Sequence, residues 1–141
     1  MTAETREPQK HTGFLLRRAQ QKHISLWLQL VGSDTTNVQY GILSVLERNP
    51  GASQKEICEE LDLDRSTIAD VCSRLEKNDL VSRTPADDDR RRNVLLLTKA
   101  GQKELQRMRP LVNKVQLRLA DKLTAAEHEQ LRELLRKLLA D

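Results

Sequence analysis

The sequence predicts a mainly α-helical chain with one small β-ribbon, and three observations carry the prediction. In 141 residues, charged side chains make up 32% and aromatic ones only 2%. Leu, Arg, Glu, Lys and Ala, which enter helices readily, dominate. Apolar residues recur at helical spacing in successive segments set off by cap and stop residues. Between Ser53 and Thr98 the order is a short helix, a tight turn, a second helix and a charged ribbon. That order is the plan of a winged helix–turn–helix. Such a unit lays one helix in the DNA major groove and lets an arginine-tipped loop reach the backbone or minor groove beside it.

The elements follow in chain order. Residues 1–10 are polar and are expected to form a loose arm. A first helix is predicted from about Thr12 to Gly32, with Leu15, Leu16, Ala19, His23, Leu26, Trp27 and Leu30 at helical spacing. Leu28 and Val31 add a second apolar face, so this helix needs cover on several sides. Thr36 and Gln39 form a capping box that opens the second helix, whose stripe is Val38, Ile42, Val45 and Leu46. Asn49-Pro50-Gly51 stops it. Ser53 and Glu56 form a second capping box, and Ile57 and Leu61 are the core positions of the third helix.

Asp64 caps the fourth helix, because its carboxylate suits the unpaired N–H groups there. Ile68, Val71, Cys72 and Leu75 form the buried face of that helix, which Asn78-Asp79 ends. Leu80-Val81 and Val94 to Leu97 are the ribbon strands, with Pro85 to Arg92 as the loop. Thr98 caps a fifth helix lined by Leu105, Met108, Leu111, Val112, Val115 and Leu119, and bent at Pro110. Thr124 and Glu127 open a sixth helix with a leucine stripe at 131, 134, 135, 138 and 139.

The predicted class is therefore a winged helix–turn–helix flanked by N- and C-terminal dimerisation helices. All 141 residues form one expected domain, with 12–32 and 99–140 as dimerisation helices and 36–98 as the DNA-binding lobe. Terminal helices with unshared apolar faces favour a homodimer over a monomer that folds them onto its own winged unit.

Composition bounds the function. The net charge of +3 permits a polyanionic partner without requiring one. Between Arg65 and Arg92 seven basic residues face six acidic ones, so charge alone does not single this segment out. Cys58 and Cys72 lie on different predicted helices with no C-x-x-C spacing, which suggests neither a disulfide framework nor a zinc site and suits a reducing, cytoplasmic setting. The polar N-terminus does not read as a secretory signal. The most apolar run, Ile24 to Val31, is too short to span a bilayer, so no membrane partner is expected. There is no glycine-rich phosphate loop and no nucleophile motif, so no enzyme and no cofactor are expected. His11, His23 and His128 are scattered, and no metal site is expected.

Several segments together resemble a known family. They are Leu15-Leu16-Arg17-Arg18-Ala19, Val38-Gln39-Tyr40, Asp64-Arg65-Ser66-Thr67-Ile68, and Arg74-Leu75-Glu76 leading to Leu80-Val81. The most specific is Asp89-Arg90-Arg91 followed by Leu97-Thr98-Lys99-Ala100-Gly101. On these the chain resembles the MarR family of transcriptional regulators over about residues 12–140. The resemblance implies an obligate homodimer, one winged helix–turn–helix per subunit, and repression relieved by a small ligand. Three positions depart from the family pattern. Asp79 stands where glycine is usual, Asp88 where proline is common, and Asp70 where many relatives carry arginine.

The DNA-contacting candidates are Arg65, Ser66, Thr67 and Arg74 on the fourth helix and Arg90, Arg91 and Arg92 on the wing. Hydroxyls can donate to phosphates or base edges, and guanidinium groups can bind phosphate or a guanine edge. By resemblance, Arg91 pairs with Asp89 to hold the loop and Arg90 enters the narrow groove. The partner is double-stranded DNA with a pseudo-palindromic operator, matching the twofold symmetry of a dimer.

The effector candidate is a small aromatic carboxylate or phenolic compound, held by Arg17 or Arg18 and stacked against Trp27 or Tyr40. The Leu-Leu-Arg-Arg-Ala opening resembles relatives that sense such compounds. Redox sensing would need an accessible thiol of low pKa, and Cys58 and Cys72 sit beside core positions instead. Two alternatives stand beside this reading: a ligand-independent DNA-binding protein, and a helical protein-interaction module built on the last leucine stripe.

Overall fold

The computed structural model describes residues 6–141. Of the expected N-terminal arm, residues 1–5 lie outside the described residues. Residues 6–10 form turns, in which the Glu7 carboxylate meets Lys10 and His11. The helices are α1 (Thr12–Leu30), α2 (Asn37–Arg48), α3 (Gln54–Leu61) and α4 (Arg65–Lys77), followed by strands β1 (Val81–Pro85) and β2 (Asn93–Leu97). Two further helices, α5 (Lys99–Leu119) and α6 (Ala125–Leu139), complete the order. The described chain divides into two compact units, Gly32–Pro110 and the residues up to Val31 together with Leu111–Asp141.

In the Gly32–Pro110 unit, α2 opens with the expected capping box. The Thr36 hydroxyl accepts from the Gln39 N–H at 3.1 Å, and the Gln39 side chain accepts from the Thr36 N–H at 2.9 Å. Helix α3 carries half of its expected box. Ser53 Oγ accepts from the Glu56 N–H at 3.2 Å, but the Glu56 carboxylate accepts from the Ser53 hydroxyl at 3.3 Å and the Asn49 amide at 3.2 Å. Asn49, at the end of α2, supplies the donor that the capping-box pattern assigned to the Ser53 backbone.

Gly51 holds φ at +84°, a conformation costly for any side chain bearing Cβ. That turn lets the Gly51 N–H donate to the Leu95 carbonyl and the Leu95 N–H donate to the Ala52 carbonyl, both at 3.0 Å. The α2–α3 connection is thereby stitched to the wing. Strands β1 and β2 pair antiparallel, with Val81 opposite Leu97 and Pro85 opposite Asn93. Leu80, expected as a strand residue, stands just before β1, and its N–H donates to the Leu75 carbonyl at 2.9 Å to close α4.

Ile42, Leu43, Leu46, Ile57, Ile68, Cys72, Leu75, Val81, Leu95 and Leu105 form one buried cluster. Burying each large aliphatic side chain contributes about 1.5–3 kcal/mol before entropy is counted. Leu105 belongs to this core, so the first turns of α5 serve the winged unit, although the sequence grouped all of 99–140 with the flanking helices. Helix α5 continues through Pro110, where the proline withholds a backbone N–H from the Gln106 carbonyl.

In the other unit, α1 buries Leu26 and Trp27. Lys22 Nζ donates to the Leu119 carbonyl at 3.1 Å and lies 3.7 Å from the Asp121 carboxylate, tying α1 to the end of α5. Helix α6 opens with the expected box, the Thr124 hydroxyl accepting from the Glu127 N–H at 3.1 Å and Glu127 from the Thr124 N–H at 2.9 Å. Within one chain α6 buries no residue. Leu131, Leu134, Leu138 and Leu139 are exposed, as are Leu15, Leu16, Ile24 and Leu28 of α1. No helix among the described residues is long and apolar enough to cross a membrane.

Candidate nucleic-acid interface

The turn between α3 and α4 is set by Asp62, whose φ of +52° is a left-handed helix stop. Asp and Asn tolerate this conformation better than most side chains. The chain reverses within three residues, and Asp64 caps α4. Its carboxylate accepts from the Thr67 N–H at 3.2 Å and from the Thr67 hydroxyl at 2.5 Å. These two bonds, the hydroxyl first, hold the Asp64 carboxyl below the usual carboxylate range. Thr67, expected to donate to DNA, therefore spends its hydroxyl proton on the cap and keeps only its acceptor lone pairs free.

Ile68, Cys72 and Leu75 are fully buried and fix how α4 rolls on the core. At 3.6 residues per turn, the ridge roughly opposite them is Ser66, Asp70, Ser73 and Lys77. All four are exposed. Arg65 and Arg74 are exposed too, but nine residues separate them, which places them about 180° apart around the helix. They flank the ridge on opposite sides, where phosphates would lie, while Ser66 stands on the ridge itself. The sequence singled out Arg65, Ser66, Thr67 and Arg74, so it passed over Ser73 and Lys77 and marked Asp70 only as a departure from the family pattern. The same helical spacing, read outward from the buried stripe, would have found them.

The wing is anchored to α4 at its base. Arg83 Nε donates to Glu76 at 3.2 Å, joining β1 to the last turn of α4. At the tip, the Ala86 N–H donates to the Arg92 carbonyl at 2.8 Å and the Arg92 N–H to the Asp89 carbonyl at 3.0 Å. The Asp89 carboxylate accepts from the Arg91 N–H at 3.0 Å, and the Arg91 side chain stands 3.7 Å away from it while remaining 96% exposed. A firmer clamp, not anticipated, joins Arg92 to Asp88, with one guanidinium nitrogen donating to both oxygens at 2.8 and 3.0 Å. Arg90 is exposed and makes no hydrogen bond or ion pair with another described residue. Of the three wing arginines it is the one whose charge is not shared.

The effector candidates on α1 are spread along the helix. Arg17 lies with its guanidinium 5.2 Å over the Phe14 ring, a cation–π contact on the surface of α1. Arg18 is exposed beside it. Trp27 is buried, with its ring 6.1 Å from that of His23. Ten residues of helix separate Arg17 from Trp27, about 15 Å along the axis, and Arg18 projects from the face roughly opposite Trp27. Helix α1 therefore does not gather either arginine and Trp27 around one single-ring ligand. Tyr40 belongs to the Gly32–Pro110 unit, where it packs against the core cluster. Arg109 donates to Glu47 at 2.7 Å, linking α5 to α2.

Cys72 is buried, and burial pushes its thiol pKa up. It is therefore a poor source of thiolate.

Comparison with known proteins agrees with this layout. Residues 33–92 match the model of the MarR family. The chain is 30% identical to the HTH-type transcriptional repressor NicR of Pseudomonas putida, over 92% of this chain and 83% of that protein. The PcaV transcriptional regulator of Streptomyces coelicolor, solved with its natural ligand, superposes with a TM-score of 0.90 at 35% identity, covering 98% of this chain and 96% of that one. BpsR of Bordetella bronchiseptica, whose DNA binding is regulated by 6-hydroxynicotinic acid, superposes with a TM-score of 0.89 at 25% identity, covering 100% and 98%.

Proposed function

The chain belongs to the MarR family of transcriptional regulators, and from that premise we propose that it is a homodimeric repressor of double-stranded DNA released by a small aromatic acid or phenol. The observation that carries the DNA reading is the exposed ridge of α4, capped by Asp64 and locked to the wing through Arg83 and Glu76. A helix whose opposite face is fully buried presents that ridge to a groove as a rigid body. Arg65 and Arg74 flank it to meet phosphates, which position the protein, while ridge side chains read base edges. Arg90 enters the minor groove beside it, and Arg91 and Arg92 shape the wing and contact the backbone.

Dimerisation rests on the uncovered leucines of α1 and α6. An apolar stripe of that length is unfavourable in water and is covered by a second copy. A twofold axis then spaces two α4 helices about one DNA turn apart, which fits a pseudo-palindromic operator. In this reading residues 12–32 and 99–140 are the dimerisation helices and 36–98 the DNA-binding lobe, on which the first turns of α5 also pack through Leu105.

The effector reading draws on PcaV, solved with its natural ligand, and on BpsR, whose DNA binding is regulated by 6-hydroxynicotinic acid. The carboxylate is held by Arg17 or Arg18 in two-point fashion.

The test is selection from a randomised duplex pool at two salt concentrations. The expected result is a palindrome with half-sites about one helical turn apart. Binding with a steep salt slope and no enriched sequence overturns the sequence-specific reading in favour of a nonspecific one. No binding at all favours the protein-interaction module.

A further inference from the structure

The ridge of α4 carries a carboxylate at its centre. Asp70 is exposed, lies roughly opposite the fully buried Ile68, Cys72 and Leu75, and is flanked along the ridge by Ser66 and Ser73. Its side chain makes no hydrogen bond or ion pair with another described residue. Arg74 stands one turn further on without closing an ion pair to it, and Asp64, not Asp70, supplies the anion that caps the helix. Asp70 thus has no task in holding the fold.

A bare carboxylate facing DNA is unfavourable, because it meets the field of the phosphates and loses its own water. It is tolerated only where a donor waits for it. In the major groove, guanine presents two acceptors and thymine an acceptor and a methyl group. Adenine presents a donor beside an acceptor, so one carboxylate oxygen would be repelled. Cytosine presents its N4 amino group with no acceptor on the same base edge.

We propose that Asp70 is a specificity-determining residue that accepts a hydrogen bond from a cytosine amino group in each half-site. The inference rests on the reading of α4 as the recognition helix. Asp70 contributes more by repelling the other three bases than by attracting cytosine, since a carboxylate left against an acceptor is penalised twice. The operator therefore carries a C·G pair at one symmetric position per half-site, under the middle of α4.

The experiment is parallel selection from one randomised duplex pool with the wild-type chain, Asp70→Ala and Asp70→Asn, followed by titration of each protein on the enriched duplex and on its symmetric single-base variants. Wild type should enrich cytosine at one position per half-site and lose roughly tenfold or more in affinity for any other base there. Asp70→Ala should bind all four bases there within a few-fold of one another. Asp70→Asn should shift the preference to adenine, whose N6 and N7 an amide meets in two-point fashion. Circular dichroism and dimer mass should be unchanged in both variants, because Asp70 is exposed and unpaired. Three identical enriched sequences overturn the proposal while leaving the DNA-binding reading intact. A wild-type chain that enriches no sequence overturns that reading and this inference with it.

Discussion

Substituting Gly101 with alanine tests how α5 is seated on the wing. Alanine at a helical glycine ordinarily stabilises by about 0.5–1 kcal/mol, through the smaller entropy of the unfolded chain. Here a Cβ would press into the Leu80 carbonyl oxygen, stand 3.0 Å from the Leu80 carbonyl carbon and 3.3 Å from Leu97 Cδ2. The Leu97 methyl can turn away, but the carbonyl cannot, because it accepts the Thr98 N–H at 3.1 Å. The Thr98 hydroxyl is also committed, donating to the Asp79 carbonyl at 2.6 Å and accepting from Gly101 itself. Overpacking against a fixed backbone costs about 1–3 kcal/mol, and loosening one backbone hydrogen bond adds about 1 kcal/mol. The clash outweighs the entropic gain, for a net loss of about 2–3 kcal/mol.

Urea unfolding followed by circular dichroism at one fixed protein concentration measures that loss, since a dimer's stability depends on concentration. With slopes of about 1–3 kcal/mol per molar urea, the midpoint should fall by about 1–3 M. Gly13→Ala is the control: a Cβ there meets nothing within 4 Å, so its midpoint should hold or rise. A Gly101→Ala chain as stable as the wild type would refute the reasoning, because it would mean that α5 and the wing base slide apart at little cost.

Three further outcomes are expected. Arg90→Ala should weaken operator binding and lower the salt slope by about one ion, whereas an unchanged affinity and slope removes Arg90 from the contacts. Glu104 is held below the ordinary glutamate value by Arg107, against the opposing effect of burial and with help from Thr35. A carboxylate lowered on folding stabilises above its unfolded-state value of about 4.3 and loses that contribution as pH falls through its folded value. Urea midpoints from pH 7 to 3 should therefore drop less steeply for Glu104→Gln, and equal acid slopes would rule this contribution out. Trp27 is the only tryptophan, so a panel of aromatic acids can be screened by fluorescence together with thermal unfolding. An effector at a hundredfold its Kd stabilises by about 2.7 kcal/mol. That gain should vanish in Arg17→Ala or Arg18→Ala, and no response to any acid would end the effector reading.

The helices were legible because their signals are local. A cap and an apolar stripe lie within one segment, so Thr36 with Gln39, Asp64, and Thr124 with Glu127 were readable as starts before any packing was known. Glu56 was read less well, because its extra partner, Asn49, arrives from the preceding helix. The wing pairs were read in part. Asp89 beside Arg91 came from the family resemblance, and Arg92 reaching back to Asp88 depends on how the loop folds. The candidates for DNA contact were sought by chemical type, which named the flanking Arg65 and Arg74 and the ridge residue Ser66 but not Asp70 at the centre of the ridge.

The sequence by itself determined the order of elements, their caps and the family, because each is written in short-range spacing and residue type. It also determined that α1 and α6 carry more apolar surface than one chain covers. Only the tertiary structure decided how the predicted stripe of Ile68, Cys72 and Leu75 seats α4 against the core of Ile42, Leu46, Ile57 and Leu95. It likewise decided that Thr67 serves the cap, that Arg90 alone among the wing arginines is unshared, and that Trp27 stands far from Arg17. Each of these turns on distances between side chains, which spacing along a chain does not specify until the backbone has been folded.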